Sequence, residues 1–248
     1  MGPKNNKLQE FTEFLKKVDL ESYRKHYAHI HIVEMDLNLP KFICEKFGVK
    51  RQDIQAINLL YKIYWNEKKF ISFEDFYKIY FKEKEKLLEE FRKYTEMCKD
   101  CFYKGLKART YRTWAGLITQ IHAGYVAEDV FGKGSVDMSR EMDSLGADIR
   151  VDYKDNKLNY QVKKLSYSGV MSRKPLPRKK GIDGESIDIT YEVPSSDYFD
   201  NPTTKKGKYR LPYTRFIEDK RVERLPNGFI IFTREVFLSK KKEIDSKA

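Results

Sequence analysis

The segment that most restricts the fold is GADIRVDYKDNKLNYQVKK, residues 146–164. Two runs of alternating apolar and polar residues flank a polar centre, the pattern of a half-buried β-hairpin. Side chains alternate faces along a strand, so Ala147, Ile149, Val151 and Tyr153 share the face that packs inward. On the second strand Leu158, Tyr160 and Val162 share it. The opposite face collects Asp148, Arg150 and Asp152 from one strand and Asn159, Gln161 and Lys163 from the other. A turn at Asp155-Asn156 sets Asp148 across from Lys163 and Arg150 across from Gln161. A one-residue slip would bury the polar set, so the apolar pattern selects the faces. The purely structural account of this face is an Asp–Lys cross-strand pair, worth roughly a few tenths of a kcal/mol.

The helix expected just before the hairpin adds a second constraint. Residues 111–131, YRTWAGLITQIHAGYVAEDVF, place Trp114, Leu117, Ile118, Ile121 and Tyr125 on one stripe, and Glu128 falls at its centre. A carboxylate on the core side of a helix is costly unless it is paired or bound to a cation. Lys133, just past the helix, offers a structural ion pair; the alternative is that Glu128 points at the same site as Asp148. His122 falls on the polar flank, where a surface or substrate-facing position is expected.

The remaining chain supplies the frame. Residues 1 to about 109 read as helical: LQEFTEFLKKV carries Leu8, Phe11, Leu15 and Val18 at helical spacing, and residues 51–65 and 72–92 repeat the pattern. Ser72 with Asp75 resembles a capping box. The mixed polar stretch from about 93 to 110 is the expected boundary between an N-terminal helical region, 1–109, and a second domain, 110–248. After the hairpin come a basic loop, a strand SIDITYEV, a turn-rich loop over about 195–212 and a last apolar strand GFIIFT. Helix, hairpin and further strands imply an α/β or α+β layer.

Charge narrows the partner. The 248 residues include 49 basic and 37 acidic side chains, a net charge of +12, with 14% aromatic residues, which together point to a polyanion such as nucleic acid. No run reaches the ~18 apolar residues of a membrane span, and no signal-peptide core opens the chain, so a cytoplasmic (prokaryotic cytosol) location is expected. Three cysteines, Cys44, Cys98 and Cys101, form no disulfide framework. Cys98 and Cys101 make a lone CxxC without two further metal ligands nearby, so a structural or incidental role is expected.

A helix glutamate, then G-x-D before an apolar strand, then an acidic or amide residue two before a lysine, resembles the PD-(D/E)XK nuclease superfamily, whose best-known members are type II restriction endonucleases. Here the parts are Glu128, Gly146-Ala147-Asp148 and Gln161-Val162-Lys163. Gln161 departs from the usual acid, and the Q-x-K form resembles the Mrr-like branch. The resemblance implies a restriction-endonuclease-like core, a central mixed β-sheet flanked by helices. It implies a Mg²⁺-dependent double-stranded DNA endonuclease, with Mn²⁺ able to substitute. Asp148 is the principal expected metal ligand; the Gln161 carbonyl or a backbone carbonyl completes the shell, and Glu128 binds directly or through water. Lys163 is expected to orient water and stabilise the charged transition state rather than act as a base. Products would carry 5′-phosphate ends. A homodimer reading a short palindrome is expected, with a cognate DNA methyltransferase in the same system. The rival readings are a repair or structure-specific nuclease and a DNA-binding protein without catalysis.

Other segments bear on DNA binding. SRKPLPRKKG carries Arg173, Lys174, Arg178, Lys179 and Lys180, expected to meet phosphates or a groove. The later loop carries Lys205, Lys206, Lys208, Arg210 and Arg215 beside Tyr209 and Tyr213. PKFICEKFGVKRQDIQAINLL, residues 40–60, has helix-turn-helix spacing with Gly48 at the turn, which would direct Arg51, Gln52 and Gln55 at DNA; a plain helix pair is the alternative. No GxxxxGK[ST] is present, so no NTPase motor is expected.

Overall fold

The computed structural model describes residues 6–27, 30, 37–166, 182–194 and 196–247. The chain divides into two compact units, Glu13–Ile118 and Met1–Thr12 with Thr119–Ala248. The helices are α1 (Asn6–Lys17), α2 (Leu20–Tyr27), α3 (Lys41–Phe47), α4 (Ile57–Leu60), α5 (Phe73–Tyr94), α6 (Lys99–Phe131), α7 (Arg140–Leu145), α8 (Ser196–Asp200), α9 (Leu211–Glu218) and α10 (Glu235–Lys247). The strands are β1 (Val136–Asp137), β2 (Ile149–Tyr153), β3 (Asn156–Ser166), β4 (Glu185–Val193), β5 (Val222–Arg224) and β6 (Ile230–Phe232).

The Glu13–Ile118 unit is helical, with an aromatic core. Trp114, Tyr64, Phe73, Phe76 and Tyr80 are buried, and their polar tips find partners. Trp114 Nε1 donates to Tyr64 Oη at 2.8 Å, Tyr64 Oη donates to the Ile71 carbonyl at 2.6 Å, and Tyr80 Oη donates to the Ile54 carbonyl at 2.7 Å. Satisfied hydroxyls let these large rings enter a core without a desolvation penalty. Ser72 caps α5 as its spacing predicts, its Oγ accepting from the Asp75 N–H at 3.1 Å. Past Thr95, the chain restarts as α6 with the Cys98 Sγ accepting from the Cys101 N–H at 3.1 Å. Both thiols of the CxxC are exposed and free.

Of the two readings of residues 40–60, the helix-turn-helix is not formed. Gly48 does end α3 in the left-handed region, at φ 63°. Residues 51–56, where a recognition helix should begin, run as turns, and helix resumes only at Ile57 before passing into a π-helix over Tyr61–Asn66. Gln55 turns back on the preceding segment, its Nε2 donating to the Leu37 carbonyl at 3.1 Å. The apolar spacing of 51–65 is genuine, but its first turn is spent satisfying backbone groups of residues 37–39; the Leu39 N–H donates to the Arg51 carbonyl at 2.7 Å.

The second unit holds a four-stranded mixed sheet in the order β1-β2-β3-β4. β1 and β3 run antiparallel to β2, and β4 runs parallel to β3. A separate ladder pairs β5 with β6. The inward face of the sheet is the one the alternation predicts: Ile149, Val151, Leu158 and Tyr160 are at most 1% exposed. It packs against the end of α6 and against α10, with Tyr160 and Phe237 rings 5.0 Å apart and Phe131 and Tyr153 rings 5.3 Å apart. α1 lies over α6, where Phe11 meets Tyr125 edge-on at 5.3 Å.

Two glycines fix where this sheet begins. Gly146, at φ 92°, closes α7 in a Schellman arrangement, with the Gly146 N–H bonded to the Asp143 carbonyl and the Ala147 N–H to the Met142 carbonyl. Gly184, at φ 106°, lets β4 start tight against Lys157: an added Cβ would sit 2.2 Å from the Lys157 carbonyl oxygen. That approach is possible only for glycine.

Candidate active site

The hairpin register differs from expectation by two residues. The turn falls on Lys154-Asp155, both at positive φ (45° and 61°), and Arg150 pairs with Asn159. It is a two-residue turn with the backbone twist of type I′, which matches the strand twist. A shift of two keeps every side chain on its face, so Asp148, Gln161 and Lys163 still share one side of the sheet. Asp148, just before β2, sends its N–H to the Tyr160 carbonyl, and the Lys163 ammonium acts on its carboxyl.

Asp148 is held by the strand it faces. Its backbone N–H donates to the Tyr160 carbonyl at 2.9 Å, and its Oδ2 accepts the Val162 N–H at 2.6 Å. The side chain is buried at 6% exposure. Burial pushes its carboxyl up to about 7, and a second carboxylate at hydrogen-bonding range, Asp143, pushes it the same way, while the Val162 N–H and the Lys163 ammonium pull it down. Asp143 arrives there because α7 is only six residues long and Gly146 folds the chain sharply back. No motif in the sequence singles out Asp143; the available signal is a second aspartate five residues before Asp148, after a Ser139 cap.

Lys163 is two residues beyond Gln161 on the same face, and both are half-buried. Its Nζ lies 2.9 Å from Asp188 Oδ2 on β4. Asp188 is equally inconspicuous in the sequence, because its proximity depends on the parallel β3–β4 pairing. Asn159, on this face too, is buried; its Nδ2 donates to the Asp183 carbonyl at 2.9 Å, and its Oδ1 has no partner among the described residues.

Glu128 lies on the core side of α6 as expected, at 8% exposure. Its Oε1 accepts the Gly134 N–H at 3.0 Å, tying the loop after α6 to the helix end. The groups that act most strongly on Asp148 are Val162, Asp143 and Lys163. Among the described residues, no set of three or more His, Cys, Asp or Glu side chains gathers to hold a metal. A cation here would rest on the Asp143–Asp148 pair and on neutral oxygens such as that of Gln161.

His122 corrects the surface expectation: it is 1% exposed, beneath α1. Thr12 Oγ1 donates to the Leu8 carbonyl at 2.8 Å, so its 3.1 Å approach to His122 Nε2 has the imidazole N–H donating. Nδ1 has no partner among the described residues, and burial drives the ring's pKa down to about 3.

The later basic loop forms a small hairpin. Thr203 bridges Tyr209, the Thr204 N–H donates to the Lys208 carbonyl at 2.7 Å, and the Arg210 N–H donates to the Pro202 carbonyl at 2.8 Å. Lys205, Lys206, Lys208, Tyr209 and Arg210 are all exposed. Tyr198, Lys205, Tyr209, Arg210 and Leu211 line a shallow hollow of about 390 Å³. Between Pro202 and Ile217 there are five basic residues and no acidic one. Arg173, Lys174, Arg178, Lys179 and Lys180 lie outside the described residues. Arg51, Gln52 and Gln55 occupy the turn segment of the helical unit described above.

No helix among the described residues is long and apolar enough to cross a membrane. No solved structure matches the chain at a significant level. Among curated proteins it is 28% identical over 232 residues to the type II restriction enzyme TthHB8I of Thermus thermophilus, covering 91% of this chain and 83% of that protein. It is 27% identical over 246 residues to the type II restriction enzyme TaqI of Thermus aquaticus, covering 94% and 88%. Residues 8–244 match the family model described as TaqI restriction endonuclease. With that match spanning nearly its whole length, the chain belongs to the TaqI restriction endonuclease family, whose members are site-specific DNA endonucleases.

Proposed function

We propose that the chain is a Mg²⁺-dependent type II restriction endonuclease acting on double-stranded DNA, with a restriction-endonuclease-like core and its active site on the polar face of β2 and β3. The single observation that carries this reading is the buried Asp148 carboxyl, raised to about 7 beside Asp143 and fastened to the strand that bears Gln161 and Lys163. A buried carboxylate with a second one beside it is unfavourable without a cation, so the residues present fit a hard divalent ion with oxygen ligands. Asp148 and Asp143 would hold it, with the Gln161 amide oxygen; Glu128, which does not gather with them as a third carboxylate, would act through water.

A bound Mg²⁺ supplies charge neutralisation at the scissile phosphate and lowers the pKa of a ligated water. The chain's own residues do the rest. Asp148 cannot swing away, because the Val162 N–H and its own backbone bond fix its position. Lys163 presents a cation on the same face, where it orients the attacking water and offsets the negative charge that grows on the phosphate. The exposed Lys205, Lys206, Lys208 and Arg210 meet phosphates and set the duplex on the protein, with Tyr209 and Tyr213 offering ring faces. Products carry 5′-phosphate ends, the enzyme acts as a homodimer with one site per strand, and a cognate methyltransferase protects the host site. Mn²⁺ substitutes for Mg²⁺ as an oxygen-preferring ion.

Digestion of phage DNA with sequencing of the cut ends tests the reading. Discrete fragments sharing one short sequence, with 5′-phosphate ends and only when Mg²⁺ or Mn²⁺ is present, are expected. Cutting confined to flaps, mismatches or junctions would make it a structure-specific nuclease instead. Binding without any nicking would make it a DNA-binding protein.

A further inference from the structure

Gln161 leaves β3 one carboxylate short of the arrangement in which an acid stands two residues before the lysine. The neighbouring strand carries one. β4 runs parallel to β3 with Asp188 level with Gln161 and Thr190 level with Lys163. Residues level with one another on adjacent strands project from the same face. Asp188 therefore shares the polar face, and its Oδ2 reaches Lys163 Nζ at 2.9 Å. The lysine also stands in the field of Asp148, on the other side.

We propose that Asp188 is a positioning residue for the cleavage reaction: it supplies from β4 the carboxylate that the Gln161 position lacks, and holds the Lys163 ammonium where it serves the scissile phosphate. This rests on the proposed active site. A lysine head sits on a flexible four-carbon stem, and an unanchored one spreads its charge over many rotamers. A fixed carboxylate on the next strand, held in register by the β3–β4 ladder, restricts that spread. The pair is partly open, at 26% and 31% side-chain exposure, so its value lies in orientation more than in stability. The position of β4 against β3 depends in turn on Gly184, which permits the close approach to Lys157.

Three variants test this on DNA that the wild-type enzyme cuts. Asp188→Asn lowers kcat by about 10- to 100-fold, the usual range for a residue that orients a reacting group. KM, DNA affinity and melting temperature stay near wild type. Asp188→Glu keeps most of the activity. Gln161→Glu added to Asp188→Asn recovers part of the loss, because it returns a carboxylate to the same face two residues before Lys163. Wild-type kcat in Asp188→Asn overturns the proposal. So does a loss that follows a fall in melting temperature and is restored by neither compensating change. Lys163→Ala is measured in parallel: normal cutting by it defeats the active-site reading itself, whereas its loss with normal cutting by Asp188→Asn defeats only the role of Asp188.

Discussion

Asp148 Oδ2 accepts the Val162 N–H at 2.6 Å, joining the buried carboxylate to the strand that carries the lysine. The bond couples two functions. It sets the register of the site, and it partly offsets the cost of keeping a carboxylate in a buried position beside Asp143.

Metal-free protein is expected to lose stability as pH rises. The Asp148 carboxyl titrates at about 7 in the fold against 3.8 ordinarily, so the folded state holds a proton that the unfolded chain has released. Its stabilising contribution is complete below about pH 4 and is lost progressively as pH climbs through 7, on the order of a few kcal/mol at most, given its coupling to Asp143. Thermal melts in EDTA at pH 5 and pH 8 measure this. Asp148→Asn flattens the dependence. Adding Mg²⁺ raises the melting temperature more at pH 8 than at pH 5, because ligation needs the ionised carboxylate.

His122 acts in the opposite direction. Its pKa is lowered to about 3 by complete burial, so the fold prefers the neutral ring. The contribution is present above pH 6.5 and is lost as pH falls towards 3, several kcal/mol in total on the order expected for such a shift. His122→Leu should lose less stability between pH 6.5 and pH 4 than wild type does, as read from urea unfolding midpoints at each pH.

Glu128→Gln separates charge from structure. The amide oxygen still accepts the Gly134 N–H, so the melting temperature holds. If the Glu128 charge serves the metal as proposed, cleavage falls about 10-fold or more and the Mg²⁺ concentration for half-maximal rate rises. Wild-type rates with unchanged Mg²⁺ dependence would restrict Glu128 to holding the loop.

How much of the site is legible in the sequence follows from period. A strand repeat of two assigns faces without tertiary information and puts Gln161 and Lys163 on one face, and the Lys163 ammonium does act on Asp148. The same repeat is blind to a slip of two, which is why the turn lies at Lys154-Asp155 and not at Asp155-Asn156 while every face is kept. Asp143 sits in a helix too short to show periodicity, and Asp188 in a strand whose partner lies across a connection of some length. His122 lies on a flank that is polar by spacing but is covered by α1. Residues 51–56 carry helical spacing yet form turns, since spacing records burial and not the backbone bonds that achieve it.

The loop cations should contribute affinity without sequence choice. Changing Lys205, Lys206 and Lys208 to alanine weakens binding to specific and non-specific DNA alike, and lowers the slope of log K against log salt by about 0.9 for each phosphate that is no longer neutralised. Fluorescence anisotropy between 50 and 200 mM salt, about the range over which such slopes are read, measures it. An unchanged slope would remove this hairpin from the interface.

Lys163→Ala, assayed for Mg²⁺-dependent cleavage alongside DNA binding, gives the most direct test of the proposed site. The expected result is no detectable fragments, a loss of about 10³-fold or more as for removal of a transition-state charge donor, with binding affinity and melting temperature within a few-fold and a few degrees of wild type. Fragments appearing at the wild-type rate from the Lys163→Ala protein would contradict it.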